Sequence, residues 1–435
     1  MQVKINKARV IDTRSAFHDQ LVDLSIENGI ITEIKAIKKP AARSFPSITV
    51  DGVESWKGTA GAEIMISNGW VDVFADYREP GLEHKETIES GLNAAAAGGF
   101  AHVLVAPNTQ PAISSKSVIQ FILQKASGHA VTLHPMGAAT QNAEGKELAE
   151  MMDMSANGAV AFTDGWKPIQ NANLMLKALE YVKALEGTIV QMPIDAALAS
   201  GGLMHEGINS TALGMPGIPL LAETLAIYRD IELVRYTGSK LHITGVSSAE
   251  SVAMIRKAKA DGIAVTCSVT PYHLALTDDM LTSYDSAYKV SPPLRTEADR
   301  LALVAAMADG TIDCIASHHR PHEWDAKTKE FEYAADGMAV QESSFNIIWD
   351  TLKEYISTER LVDALAVQPR NIFGIEHNPI EKGGNASLTL FSTTDSYTTT
   401  TANKKSVAMN SPFLDKQLSG RILGIFNNNK LHLNK

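Results

Sequence analysis

The run Ser317-His318-His319-Arg320-Pro321-His322 places three imidazoles and a guanidinium within six residues. Imidazole is a common metal ligand and a base near neutral pH. His318 and His319 are adjacent, so on an extended strand they face opposite sides and only one can reach a shared site. The other chemically capable residues are spread out. Asp76 and Arg78 lie in Phe74-Ala75-Asp76-Tyr77-Arg78, Asn108 in Pro107-Asn108-Thr109, and Asp164 in Phe162-Thr163-Asp164-Gly165-Trp166. Asp76, Asp164 and His318 could form a three-ligand metal site with an open position. Polar packing without metal is the stronger reading of the same residues. An arginine fork suits a carboxylate because it donates two parallel hydrogen bonds. Arg78 reads equally well as a structural residue paired with Glu79 or Asp72, and Asn108 as part of a turn.

Scattered residues need a scaffold to bring them together. From residue 64 to about 374, short apolar runs alternate with helical stretches. Residues 87–97 form an alanine-rich helical segment ended by Gly98-Gly99, and Ala101-His102-Val103-Leu104-Val105 follows as a buried strand. Further strands are expected at 159–162, 188–191, 240–243, 264–266 and 313–316, with a helix at 249–260 among those between them. Strand–helix alternation over about 300 residues predicts a parallel sheet closed as a (β/α)₈ TIM barrel. Residues 1–60 and 376–435 read as short strands that could pair into one small β domain beside the barrel, leaving 61–375 to the barrel. The threonine-rich run 394–401 reads as a loop.

Composition narrows the function. The chain has 435 residues and a formal net charge of −10, without a basic block, so a nucleic-acid surface is not expected. No stretch is long enough to span a bilayer, no signal core opens the chain, and a cytoplasmic protein is expected. Cys267 and Cys314 lie in apolar runs and read as buried reduced thiols.

The run Gly69-Trp70-Val71-Asp72-Val73-Phe74-Ala75-Asp76-Tyr77-Arg78-Glu79-Pro80-Gly81 resembles the first-strand signature of dihydroorotases. The likeness continues through His84-Lys85-Glu86-Thr87, Pro107-Asn108-Thr109-Gln110-Pro111 and Leu213-Gly214-Met215-Pro216-Gly217. It then runs through Val246-Ser247-Ser248-Ala249-Glu250, Val269-Thr270-Pro271-Tyr272-His273 and Pro292-Pro293-Leu294-Arg295. Several motifs in order over nearly the whole chain resemble the long bacterial type of this amidohydrolase family. The resemblance implies a TIM barrel whose small β domain is a β-sandwich, and ring closure of carbamoyl-aspartate to dihydroorotate at a zinc pair.

Position by position, the resemblance also implies loss of that zinc pair. The His-x-His of the family falls on Phe74 and Asp76. One acid of the Asp-Asp-Gly stretch remains as Asp164 and the other place is Gly165. The fifth- and sixth-strand histidines fall on Met192 and Gly245, and the catalytic aspartate falls on His318. The substrate-holding positions fall on Arg78, Asn108, Ser291 and His322. No intact catalytic residue and no cofactor are therefore expected, although intact relatives carry zinc. The expected protein is a non-catalytic relative serving as a structural or regulatory partner of aspartate transcarbamoylase, and a homodimer. The alternatives are an active cyclic amidohydrolase with an altered metal site, and a sensor that binds a ureido acid or orotate.

Overall fold

The structure is a computed structural model that describes residues 1–38, 45–58 and 62–434. The domain boundary expected between residues 60 and 61 lies outside the described residues, as does Lys435.

Eight parallel strands follow one another around the barrel in chain order: β1 (Trp70–Ala75), β2 (Phe100–Val105), β3 (Thr132–Gly137), β4 (Ala161–Phe162), β5 (Ile189–Gln191), β6 (Leu241–Thr244), β7 (Val265–Val269) and β8 (Cys314–Ile315). Closure comes just after β8. The His318 N–H donates to the Phe74 carbonyl at 3.0 Å, and the Asp76 N–H donates to the His319 carbonyl at 2.9 Å. Residues after each strand therefore gather at one end of the barrel, where enzymes of this architecture place their chemistry.

Local signals explain the boundaries. The helix Ile88–Ala97 starts where the Thr87 hydroxyl accepts the Ser90 N–H, and the helix Ala249–Ala260 where Ser248 accepts from Ser251. Burial of Leu104, Met136, Ala161, Val190 and Cys314 fills the barrel interior, and each of the larger ones, Leu104, Met136 and Val190, contributes about 1.5–3 kcal/mol when fully buried. Strand β3 carries no clear apolar run, because His134 and Pro135 interrupt it. It escapes pattern reading and is held by its neighbours β2 and β4.

Strands from both chain ends form a second sheet of nine strands with a hydrophobic core of its own, including Val3, Ile5, Leu24, Leu390 and Phe426. Ile64–Asn68 belongs to this sheet, pairing parallel with Gln2–Val10 and antiparallel with Leu388–Thr398. The threonine-rich run is corrected here. Residues up to Thr398 are strand, with Ser396, Tyr397 and Thr398 opposite Ser419, Leu418 and Gln417. Threonine is β-branched and suits a ladder. Cys267 and Cys314 are free and buried.

Candidate functional site at the barrel mouth

Three rings close the centre of the mouth. Phe74 lies 4.7 Å from the His318 ring and 5.1 Å from Trp166, and Trp166 lies 5.4 Å from His318, centroid to centroid. The two contacts to Trp166 are edge-on, a favoured geometry for aromatic pairs. Phe74 and His318 are fully buried. The Arg320 guanidinium sits 4.4 Å above the Trp166 ring as a cation–π partner.

His318 is held by backbone and side chain. It follows β8 with a φ of +46°, so it is not an extended strand residue as the sequence reading assumed. Its Nε2 lies 2.8 Å from Thr244 Oγ1 at the end of β6. Burial, and then the nearby His273, Arg320 and His242, push its pKa well below the usual value, so the ring is neutral. The division between His318 and His319 holds. His319 reaches the other way, its Nε2 3.4 Å from the Glu86 carboxylate.

Gly245 follows β6 with a φ of +78°, and a Cβ there would lie 2.5 Å from His318 Cε1. His318 thus fills the room that a side chain at position 245 would need. Met192 is buried and lines a cavity of about 450 Å³ together with Trp166, Ser291 and Ile194.

The acids are committed to protein donors. Asp76 accepts the Trp166 indole N–H at 2.7 Å, the Arg78 N–H at 3.2 Å, and an ion pair from Arg78 Nη1 at 3.0 Å. Arg78 therefore pairs with Asp76, not with Glu79 or Asp72 as one reading of the sequence had it. Glu79 pairs with Lys125 at 3.0 Å, and Asp72 bonds Ser317 and Gln341. Asp164 accepts from the Thr140 N–H at 2.9 Å and the Thr140 hydroxyl at 2.5 Å.

The candidate substrate residues separate. Asn108 donates to the Asp164 carbonyl and accepts the Trp166 N–H, both at 3.0 Å, so its amide stitches the loop after β4. A Cβ at Gly165 would lie 1.9 Å from Asn108 Oδ1, which is why that loop needs glycine at a φ of +62°. Ser291 lines the Met192 cavity. His322 instead lines another cavity with Trp324 and Lys327, and its Nε2 bonds the Asp336 carbonyl at 2.9 Å. Several buried donors find no acceptor on the protein: Arg78 Nε and Nη2, Arg320 Nε, and one ring nitrogen each of His318 and His322.

Sequence reasoning missed Trp166 and Arg320, although both sit inside quoted motifs. Their signal was a large aromatic and a charge beside positions expected to hold ligands. Glu223 and Arg295 form a buried pair at 3.1 Å, and Arg295 also bonds Ser247 at 3.0 Å. They tie the helix Leu221–Thr237, which follows β5, to the loops after β6 and β7.

The donor set does not fit a zinc pair. Phe74 and Gly245 offer no ligand atom, Met192 offers only a thioether, Asp76 and Asp164 spend lone pairs on protein donors, and His318 is bonded to Thr244 through Nε2. Among the described residues no three His, Cys, Asp or Glu side chains group as a metal site.

The chain folds as an eight-stranded parallel barrel flanked by a sheet from both chain ends. Solved structures agree on the fold. L-hydantoinase from Arthrobacter aurescens superposes with a TM-score of 0.83 at 21% identity, over 99% of this chain and 96% of that one. Dihydropyrimidinase from Brevibacillus agri gives 0.77 at 20% identity, over 100% and 95%. The family model described as "Dihydro-orotase-like" matches residues 63–251. The dihydroorotase of Syntrophus aciditrophicus is 38% identical over 425 residues, covering 97% of each chain. That of Geobacter metallireducens is 37% identical over 423 residues, covering 97% of this chain and 96% of the relative. The chain belongs to the dihydroorotase family.

Proposed function

We propose that this protein is a dihydroorotase homologue of the pyrimidine pathway that does not turn over dihydroorotate and acts as a structural or regulatory partner of aspartate transcarbamoylase in the cytoplasm. The observation that carries the loss of turnover is the packing of Phe74, Trp166 and His318 across the mouth. Opening a cyclic amide at neutral pH needs an activated water. Bulk water, with a pKa of about 15.7, is a poor nucleophile beside a metal-bound one at about 7. His318 is buried and bonded to Thr244, which does not place it to activate one. An altered mononuclear site on Asp76, Asp164 and His318 is disfavoured, since both carboxylates would have to surrender protein partners.

The partner rests on the family resemblance, and one surface feature supports an interaction. Leu221, Leu225 and Tyr228, spaced along the helix Leu221–Thr237, are 51%, 44% and 59% exposed. That spacing puts them on one face, where isolated exposure is ordinary but a stripe suits an interface. A specific interface here, with the transcarbamoylase or a second copy, would bury at least roughly 1,000 Å².

A second reading is favoured by the unpartnered donors of Arg78 and Arg320. The mouth would then hold a carboxylate-bearing ureido acid or orotate without converting it. Purified protein, with and without added zinc, is assayed with dihydroorotate and carbamoyl-aspartate, and then sized with the transcarbamoylase of its own cells. No turnover and a co-eluting complex are expected. Turnover that disappears with His318→Ala would overturn the non-catalytic reading, and a single monomer peak in the mixture would overturn the partner. Heat of binding by orotate in the absence of turnover would favour the sensor.

A further inference from the structure

At the opposite end of the barrel, where β2 and β3 begin, lies a second cavity of about 560 Å³ between the barrel and the outer sheet. That volume falls within the ~300–1,000 Å³ of small-molecule sites. Its wall holds Arg370, His102 and His134, with the amides of Asn68 and Asn427 nearby.

Arg370 is the unusual member. It is 2% exposed and among the largest fully buried side chains, yet it pairs with no carboxylate among the described residues. Its Nη1 donates to the Ala366 carbonyl at 2.8 Å, while Nε finds no acceptor on the protein. Buried arginines without a counter-charge are costly, and they are usually paired. The acids nearby are spoken for or remote. Asp12 pairs with Arg14 at 3.2 Å, and Glu376 is exposed at the cavity rim.

His102 and His134 add two stacked rings with centroids 5.3 Å apart, Nδ1 of one 3.1 Å from Nε2 of the other. Burial, followed by the positive charge of Arg370, holds His134 at a pKa of about 4 and His102 well below its usual value. A pocket lined with a buried, unpaired guanidinium and N–H donors is suited to a negative ligand.

We propose that this cavity binds a small oxyanion, a phosphate or a carboxylate, gripped by the Arg370 guanidinium beside the His102–His134 pair. The site is separate from the barrel mouth and independent of the function proposed for it.

The test is calorimetric titration of the full chain with inorganic phosphate and, separately, with succinate. Binding is expected for at least one, and the tighter of the two identifies the source chemistry. Arg370→Met should weaken it about 10- to 100-fold, the worth of a hydrogen bond to a charged group, and Arg370→Lys should recover part of the loss. In the unmodified protein the His102 and His134 ring protons should shift on adding the anion, which keeps the test open even if the variants fold poorly. Arg78→Gln, at the mouth, should leave this binding intact. Lack of binding by both anions up to about 10 mM would overturn the proposal. So would binding lost in Arg78→Gln and kept in Arg370→Met.

Discussion

His318 Cε1 occupies the space directly over Gly245, 2.5 Å from where a Cβ would stand. A side chain at position 245 would therefore have to displace the His318 ring.

Gly245→His should therefore destabilise the fold strongly. Overpacking costs about 1–3 kcal/mol, and a β-carbon at a φ of +78° adds backbone strain of about 1–2 kcal/mol. Combining it with His318→Asp should recover at least about 1 kcal/mol of that loss, as expected for residues in contact. Urea denaturation of the two single variants and the double variant measures the coupling; strict additivity would refute the steric account.

Trp166→Phe keeps the ring but removes the N–H that Asp76 accepts at 2.7 Å. A hydrogen bond to a charged group contributes about 1.5–3 kcal/mol, so a loss of that size is expected. Asp76→Asn in the same background should cost less than in the unmodified protein, because the indole partner is already gone. Equal costs in both backgrounds would show that the pair is not coupled.

Zinc should be retained at well below one ion per chain after purification without chelator, because the mouth lacks a ligand set. Elemental analysis checks this, and two tightly held ions per chain would contradict it. Chelator should leave the melting temperature unchanged, since no folding energy would come from metal.

Acid should destabilise the protein through buried neutral histidines. His242, bonded between Thr266 and Ser268, is pushed down to about 3, and His273 to about 4, chiefly by burial. Their folded pKa values lie below the ordinary 6.5. Their stabilisation is thus fully present above about pH 6.5 and is lost as pH falls toward 4 and 3. Each contributes about 1.4 kcal/mol per pH unit in that window. Urea midpoints at pH 7.5, 6 and 5 should fall, and His242→Gln should flatten the fall. An unchanged slope in that variant would contradict the assignment.

The sequence by itself determined the alternation of strands and helices, which calls for a parallel sheet covered by helices, and the family resemblance pointed to its closure as a barrel. It also determined which ligand atoms are missing, since phenylalanine, methionine and glycine carry no imidazole wherever they fall. What only the tertiary structure decided is how the surviving polar groups are spent. Asp76 and Arg78 satisfy each other, Asn108 is consumed by the backbone of Asp164 and Trp166, and His322 faces a different cavity from Ser291. Asp76 and Arg78 are near neighbours in the chain, but Asn108 meets residues 56 and 58 positions away, and local pattern carries no record of such contacts. The same holds for Arg370. In sequence it is one arginine in a short helix, and only folding buries it, without a counter-charge, beside two histidines from the starts of β2 and β3.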